Sequence, residues 1–386
     1  MINSNHQDAH SKRTNDKDAR SKPGIQRTRT GRGQPSRARV GGRAGSRHGR
    51  SAGSAHGAPE QPLVVGIGIN ATDTVIRLPH FPTVDSKVEV TSAEIKAGGQ
   101  VASAMVACRR WGLRARYAGK IGDDPAGQFQ REEMDREDVE AHWITARGEA
   151  SQSAFILVDE PSGERTVLWK RDPAIALRPE DMRRDWLRGA SALLVDGHDT
   201  AAAALVAQWA REQGIPVIAD LDNRYPGVEA LLRFADYPIT SKDFPGRLTG
   251  ERDLLRALPK MHAQFKCRLT GATLGRLGVI VWDGGQFVLC PGFHVNAIDT
   301  TGAGDVFHGA FLYGLVHGWE VKEILEFSCA AAALNCESLG ARGGIRSLDE
   351  IRRMQQEGER SEAAFKVKEL LEAAQAARTA YTSRNK

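Results

Sequence analysis

The chain alternates short runs of apolar, often β-branched residues with segments of helical periodicity, and this alternation restricts its fold more than any other feature. The run LVVGIGIN begins at Leu63 and ends in glycines and an asparagine, which is typical of a buried parallel strand. Similar runs follow at 114–122, 192–197, 215–222, 237–241 and 277–285. Helical segments lie between them at 99–111, 126–138, 200–213, 229–235, 250–264 and 303–317. Strands that alternate with helices predict a three-layer α/β/α sandwich around a mainly parallel sheet.

Two segments interrupt this alternation. DSKVEVTSAEIKA (85–97) and SQSAFILVDEPSGERTVLWK (151–170) have the alternating polar and apolar pattern of antiparallel strands, and the second contains a turn at Pro161-Ser162-Gly163. We expect them to form a small antiparallel sheet that acts as a lid over one edge of the larger sheet.

The first 60 residues differ in composition from the rest. They hold 13 Lys and Arg against 4 Asp and Glu, no aromatic residue and only four large apolar residues. Such a segment buries too little apolar surface to offset its ordering entropy, so 1–60 is predicted to be a disordered basic tail. Nucleic-acid contact by its arginines is one interpretation, and a dispensable extension is the simpler one. The predicted globular domain spans 61–350, and an amphipathic helix and tail follow at 351–386.

Charge, hydropathy and cysteine content exclude several protein classes. The net charge of +5 arises in the tail, because the remaining residues carry a small negative balance. No stretch approaches 18 uncharged apolar residues, which excludes a membrane-spanning helix. The five cysteines show no CxxC spacing, so we expect neither a disulfide framework nor a zinc ribbon, and a cytoplasmic location.

The segment NAIDTTGAGDVFHGAFLYG (296–314) carries the most chemical information. It passes from an extended run into a helix through Gly302-Ala303-Gly304, whose small side chains let backbone N–H groups approach an anion closely. Asp305 follows in the first turn of the helix. An anion site beside a carboxylate base is what phosphoryl transfer requires.

The string DTTGAGDVFHGAF resembles the C-terminal signature of the ribokinase, or PfkB, family of sugar kinases. Further segments resemble other family landmarks in the same order, namely GIGINATDTVIRLPHFP (66–82), AGGQVASAMVACRRWG (97–112), YAGKIGDDPAG (117–127), SGERTV (162–167), TLGRLG (273–278) and AAAALNCESLGARGGI (330–345). The resemblance covers most of 63–346. It implies a ribokinase-like fold and ATP-dependent phosphorylation of a sugar hydroxyl.

The resemblance also implies roles for individual residues. Asp305 would be the catalytic base, and Gly302, Ala303 and Gly304 would form the anion hole. The sugar would be bound by Asp73, Gly98, Gly99, Gln100 and Ser103. ATP would lie against Thr273, Gly275 and Gly278, and a monovalent cation such as K⁺ would lie near Asp299 and Gly340. The implied partners are Mg²⁺, a small sugar or sugar derivative, and a second copy of the chain that pairs through the lid.

The sequence departs from the family pattern at two positions. Ser103 stands where many members have an asparagine that contacts the sugar, so we expect a hydroxyl pattern different from that of ribose. The family's Asn-x-x-Glu motif corresponds here to Ser241-Lys242-Asp243-Phe244, which lacks the glutamate. Mg²⁺ would then rest mainly on ATP phosphates and water, with Asp243 as a candidate substitute, and no metal ligand is assigned.

These features are similar to those of the family branch that contains sulfofructose kinase. Lys87 and Arg165 fall on the predicted lid segments, where basic residues facing the sugar would favour a phosphate or sulfonate group. Solvated surface charges are the alternative interpretation.

Other sequence patterns bear on functions different from that of a sugar kinase. Gly66-Ile67-Gly68-Ile69-Asn70-Ala71 fits a dinucleotide fingerprint, but Pro79 and Pro82 follow where that motif needs a helix. No GxxxxGK[ST] motif is present, which excludes a P-loop kinase. A non-catalytic regulator would not need the intact Asp305. A nucleoside kinase of the same family is the main alternative, and an apolar slot beside Asp73 would distinguish it.

Overall fold

A computed structural model of the 386-residue chain describes residues 61–361 and residue 369. The predicted tail 1–60, and most of the segment 351–386, lie outside the described residues.

The described strands form two sheets, as predicted, and are numbered in chain order. They are β1 (Leu63–Ile67), β2 (Ala71–Leu78), β3 (Ser92–Gly98), β4 (Arg114–Gly122), β5 (Glu140–Ala146), β6 (Ser153–Asp159), β7 (Arg165–Lys170), β8 (Ala190–Asp196), β9 (Val217–Leu221), β10 (Tyr237–Ser241), β11 (Thr270–Thr273), β12 (Val279–Trp282) and β13 (Phe287–Cys290). The larger sheet has the order β13-β12-β11-β10-β9-β8-β1-β4-β5. It is parallel from β11 to β5, while β12 and β13 are antiparallel.

Helices cover both faces of the larger sheet. They are α1 (Gln100–Arg110), α2 (Pro125–Arg136), α3 (Thr200–Glu212), α4 (Val228–Leu232), α5 (Phe244–Thr249), α6 (Leu254–Phe265), α7 (Ala303–Val316), α8 (Val321–Asn335) and α9 (Leu348–Glu357). Side chains alternate between the two faces of a strand. In β1, Val64 therefore packs with α1, α7 and α8, while Leu63 and Val65 pack with α3, α4 and α6. This arrangement confirms the three-layer sandwich.

The smaller sheet differs in detail from the predicted lid. Its order is β3-β2-β6-β7, and the central β2–β6 pair is parallel, so the sheet is mixed and not wholly antiparallel. The predicted strand 85–97 becomes extended only at Ser92, because the preceding connection turns at Asp85, which has a φ of 62°. The second predicted lid segment, 151–170, is confirmed as the hairpin of β6 and β7.

One continuous stretch supplies a strand to each sheet. β1 ends in the larger sheet at Ile67, and β2 begins in the smaller sheet at Ala71. The Asp196 carboxylate, at the end of β8, accepts a hydrogen bond of 2.7 Å from the Ile69 N–H between them. The crossing places Asp73, on β2, near the carboxyl ends of the parallel strands, where α/β proteins bind their ligands.

In the part of the chain that the structure describes, none of the helices combines the length and apolar character that a membrane span needs. The five cysteines are buried free thiols.

Candidate active site

The start of α7 has the geometry of an anion site. Gly302 caps the helix with a φ of 76°, and a β-carbon at this position would lie 2.3 Å from the Ala341 carbonyl oxygen. A β-carbon on Gly304 would meet nothing within 4 Å, so the helix start is open on that side. The first N–H groups of a helix have no intrahelical acceptor. A bound anion can therefore reach donors between Gly302 and Asp305.

Asp305 lies half-buried in the first turn of α7. No hydrogen bond from the described residues reaches its carboxylate. Burial raises the pKa of Asp305, and the positive charge of Arg165 acts in the opposite direction. A carboxylate that lacks protein donors and has a raised pKa is suited to accept a proton.

His308 was not singled out in the sequence, although it lies one turn after Asp305. It is 2% exposed, and its two ring nitrogens lie 2.8 Å from the Gly304 carbonyl oxygen and 3.0 Å from that of Ile239. Asp220, on β9, lies 3.3 Å from Nδ1 of the same ring. Burial raises the pKa of Asp220 well above its usual value and lowers that of His308. The position of Asp220 at the carboxyl end of a predicted strand was the signal that could have found it.

Asp73 lies next to other residues that were predicted to bind the sugar. Its carboxylate is 5% exposed and receives no hydrogen bond from the described residues. A β-carbon on Gly98 would lie 1.9 Å from Oδ2 of Asp73, so only glycine allows this carboxylate position. Burial raises the pKa of Asp73 to about 7. In the first turn of α1, beyond Gly99, Oε1 of Gln100 is buried without a partner among the described residues.

Ser103 lies in the same region but has a partner within the protein. It is fully buried, and its hydroxyl accepts a 3.2 Å hydrogen bond from Nε of Arg342. Arg342, which sequence reasoning missed, also donates to Oδ1 of Asn70 at 3.1 Å and to the Gly98 carbonyl oxygen at 2.7 Å.

The two basic lid candidates lie in different surroundings. Arg165, on β7, donates from Nη1 to the Thr300 hydroxyl at 3.0 Å and is near enough to Asp305 to lower its pKa. Lys87 is exposed in the connection between β2 and β3, and the structure does not bring it into contact with the other candidates.

The lid is docked against the segment 296–314, which contains the start of α7. The Gly163 carbonyl oxygen, at the hairpin turn, accepts a hydrogen bond of 3.2 Å from the Thr300 N–H, and the Thr300 hydroxyl lies 3.3 Å from the same oxygen. The lid hairpin therefore contacts the residues that lead into the anion site.

Asp299 and Gly340 are in direct contact. Oδ2 of Asp299 accepts the Gly340 N–H at 2.8 Å, and Oδ1 accepts the N–H and hydroxyl of Thr301 at 2.8 and 2.6 Å. This hydrogen bond joins the loop after α8 to the residues that precede α7. K⁺ binding here stays a prediction.

Thr273 ends β11 at the same edge of the sheet, and its hydroxyl donates to the Thr240 carbonyl oxygen at 3.3 Å. Gly275 and Gly278 bound the turn that leads from β11 into β12. The three predicted ATP residues thus lie on one short segment of the chain.

Comparison with known proteins identifies this arrangement. Residues 61–348 match the model of the pfkB family of carbohydrate kinases. The chain belongs to this family. It is therefore a carbohydrate kinase, an enzyme that transfers phosphate to a hydroxyl group.

Individual relatives agree with the family match. A fructokinase-2 of Solanum habrochaites is 30% identical over 317 residues, which are 74% of this chain and 94% of that protein. An ATP-dependent ribose-1-phosphate kinase of Halopiger xanaduensis is 27% identical over 276 residues, 70% of this chain and 90% of that one. The crystal structure of a ribokinase from Thermotoga maritima superposes with a TM-score of 0.66 at 23% identity, covering 76% of this chain and 99% of the other. The last comparison confirms the ribokinase-like fold.

The family's magnesium motif remains incomplete in three dimensions. Asp243 is exposed, and its carboxylate lies 3.9 Å from the guanidinium of Arg247. Within 61–361, no group of three or more His, Cys, Asp or Glu side chains is arranged to hold a metal ion. Oxygens of nucleotide phosphates and water are the ligands that Mg²⁺ commonly uses in kinases.

Proposed function

We propose that this PfkB-family kinase transfers the γ-phosphoryl group of ATP to a sugar hydroxyl held between Asp73 and Asp305. The observation that carries the proposal is a pair of carboxylates near the open start of α7, of which Asp73 is buried and Asp305 half-buried. Neither receives a hydrogen bond from the described residues, and the charge of Asp305 contributes to the raised pKa of Asp73. Buried acceptors without donors fit a ligand that is rich in hydroxyl groups.

Each carboxylate would have a separate task. Asp73 would accept hydrogen bonds from sugar hydroxyls and so orient the ring, while Asp305 would take the proton of the attacking hydroxyl. The hydroxyl oxygen would then attack the γ-phosphorus in line, and the N–H groups at Gly302, Ala303 and Gly304 would stabilise the charge on the transferred group. Mg²⁺ bound with the nucleotide would neutralise part of the phosphate charge.

The docked lid would exclude water from the reaction. Arg165 and Gly163 tie the lid hairpin to Thr300, two residues before the anion hole. Exclusion of water limits hydrolysis of ATP and strengthens the electrostatic interactions within the site.

A nucleoside is the second candidate substrate, and one observation favours it. Asp73 pairs across the lid with Ala154, and Ala154 pairs with Trp169, so these three side chains project from one face of the sheet. The indole of Trp169 is 54% exposed and makes an edge contact with the ring of His198 at 6.2 Å. A small residue between a carboxylate and an exposed indole would accommodate a planar base or the apolar face of a sugar.

A sugar phosphate or sulfonate is the third candidate. Arg165 places a cation near Asp305, and a ribose-1-phosphate kinase is among the relatives. Guanidinium groups bind phosphate and sulfonate oxygens well. This candidate keeps the same base and anion hole.

Coupled measurement of ADP release would test the function. The panel contains neutral sugars, sugar phosphates, sulfofructose and nucleosides, each with ATP and Mg²⁺. Asp305→Asn is the test variant, and Asp135→Asn, which alters an exposed carboxylate on α2, is the matched control. Turnover of one substrate that Asp305→Asn abolishes and Asp135→Asn preserves supports the proposal. ATP binding without turnover of any compound would contradict it.

A further inference from the structure

Arg342 is a charged side chain buried next to the residues that we assign to sugar binding. It lies in the loop between α8 and α9 and is 5% exposed. Its guanidinium bonds to three separate segments, namely Asn70 before β2, Gly98 at the end of β3 and Ser103 in α1. Nη1 faces only the thioether of Met134, at 3.8 Å. The side chain therefore joins the three elements that surround Asp73.

This buried charge has no close counter-ion. No carboxylate of the described residues lies within 4.0 Å of its nitrogens, and the acidic groups that act on it from farther away are Glu133, Asp73 and Glu137. A buried charge without a close counter-ion destabilises the folded protein, because hydrogen bonds to neutral groups replace only part of its lost hydration. Apolar packing and neutral hydrogen bonds would have joined the same segments without that cost.

Arg342 and Asp73 both contact Gly98. The Asp73 carboxylate lies where a β-carbon of Gly98 would be, while the Gly98 carbonyl oxygen accepts the hydrogen bond from Nη2 of Arg342. Neither of the residues paired with Asp73 across the strands supplies a free positive charge. Lys96 is its partner on β3 but pairs with Glu94 at 2.6 Å, and its partner on β6 is the apolar Ala154.

We propose that Arg342 is a positioning residue for the kinase reaction, which fixes Asn70, Gly98 and Ser103 around the sugar and favours the ionised form of the Asp73 carboxylate, the form that accepts hydrogen bonds from sugar hydroxyls. The proposal rests on the proposed function, because it assigns Asp73 to sugar binding. It also explains why position 103 has a serine where many family members have an asparagine. The shorter side chain leaves space for the guanidinium of Arg342, and its hydroxyl oxygen accepts a hydrogen bond from it.

The electrostatics of Asp73 agree with this role. Burial raises its pKa to about 7, the charges of Asp305 and Asp299 add to that rise, and Arg342 is the largest opposing influence. Without the guanidinium, the pKa of Asp73 would rise further, so a larger fraction of the carboxyl would be protonated at neutral pH and would donate a hydrogen bond where the ionised form accepts one. Loss of sugar affinity on acidification would then begin at a higher pH than in the wild-type enzyme.

The geometry separates this role from direct binding of an anionic substrate. Nε and Nη2 donate to protein acceptors, and Nη1 faces a sulfur atom in the interior. Arg342 therefore acts on the substrate through Asp73 and the surrounding backbone.

Steady-state kinetics on Arg342→Met and Arg342→Lys would test the assignment, with Arg346→Met as the matched control from the same loop. For Arg342→Met we expect a sugar KM raised about 10-fold, an unchanged KM for ATP, and an acid limb of kcat/KM moved up by roughly 1 pH unit. Arg342→Lys retains the charge, so the acid limb should stay in place while the sugar KM rises by a smaller factor. Arg346→Met should change neither quantity.

Several results would overturn the assignment. One is a folded Arg342→Met enzyme with unchanged sugar KM and acid limb, and another is a loss of kcat that is equal at every pH. If Arg342→Met fails to fold, a displaced acid limb in Arg342→Lys would contradict the charge role. A wild-type enzyme that phosphorylates no compound of the panel would overturn the proposed function and this assignment together, whereas an active wild type with insensitive variants overturns this assignment alone.

Discussion

A β-carbon on Gly302 would lie 2.3 Å from the carbonyl oxygen and 2.5 Å from the α-carbon of Ala341. The loop after α8 thus packs directly against the residue that caps α7. A hydrogen bond between the Gly340 N–H and the Asp299 carboxylate also joins this loop to the residues that precede α7. The proposed anion hole is therefore held in shape by backbone from a distant part of the chain.

Gly302→Ala should therefore damage both stability and catalysis. The residue has a φ of 76°, which a side chain disfavours, and the contact with Ala341 involves rigid backbone. We expect the free energy of unfolding to fall by about 1–3 kcal/mol and kcat to fall sharply. Thermal or urea unfolding, with kcat measured on the folded fraction, checks this.

Gly304→Ala is the matched control in the same proposed anion hole. A β-carbon here meets nothing within 4 Å, and alanine is the better helix former by about 1 kcal/mol, so stability should be unchanged or higher. The added methyl group would occupy the open side of the helix start, and we expect kcat to fall without a loss of stability. Unimpaired kcat would show that the transferred group does not lie there.

Asp305→Asn should lower kcat by roughly 100- to 10,000-fold, because the amide cannot accept the proton of the attacking hydroxyl. The KM for ATP should change little, since the carboxylate is assigned to the acceptor and not to the nucleotide. Isothermal titration with ATP would verify that the variant still binds the nucleotide. A variant with wild-type kcat would exclude Asp305 as the base.

Asp73→Asn should weaken sugar binding and alter how stability depends on pH. The pKa of Asp73 is raised to about 7 in the folded protein, so the folded state binds a proton more tightly than the unfolded chain does. Stability from this group is therefore present at low pH and is lost as the pH rises through 7. Between pH 6 and 8 the wild type should lose about 1 kcal/mol more than Asp73→Asn. Unfolding curves of both proteins at the two pH values measure this difference, and parallel pH profiles would contradict it.

The elements that the sequence predicted well are those whose signal is local. The helix start at Gly302–Asp305 is determined by consecutive residues, and the alternation of strands and helices is a regular pattern along the chain. The edge strands β5 and β13 were missed because most of their residues are only partly buried, so their apolar pattern is weak. The parallel pairing of β2 with β6 also escaped prediction, because register between distant strands has no local signature.

The site residues that escaped prediction are fixed by contacts between distant segments. Arg342 bonds to Asn70 across 272 positions, and His308 reaches the Ile239 carbonyl oxygen across 69. Nothing in the neighbouring sequence of either residue encodes its partner. Conversely, Lys87 was considered for its charge and its predicted strand, but the strand begins five residues later, at Ser92.

The outer face of the lid supports one further prediction, that two copies of the chain pair through it. Ile95, Thr74, Phe155 and Leu168 are register partners across the four strands, so they form one row on the face opposite Asp73. The three apolar members are 65%, 54% and 52% exposed, a row of apolar side chains that a second lid would cover. The edges at β3 and β7 have unpaired backbone groups that pairing would also protect.

Phe155→Asp should therefore convert a dimer into a monomer, because it places a charge in the centre of this row. Gln208→Asp, which introduces the same residue on the exposed side of α3 behind the larger sheet, should leave the dimer intact. Size-exclusion chromatography with light scattering distinguishes the two masses. Since the lid also carries Asp73, dissociation of a pair that braces it should raise the sugar KM more than the KM for ATP. A wild-type chain that is monomeric at micromolar concentration, or a Phe155→Asp variant that stays dimeric, would exclude the lid as the interface.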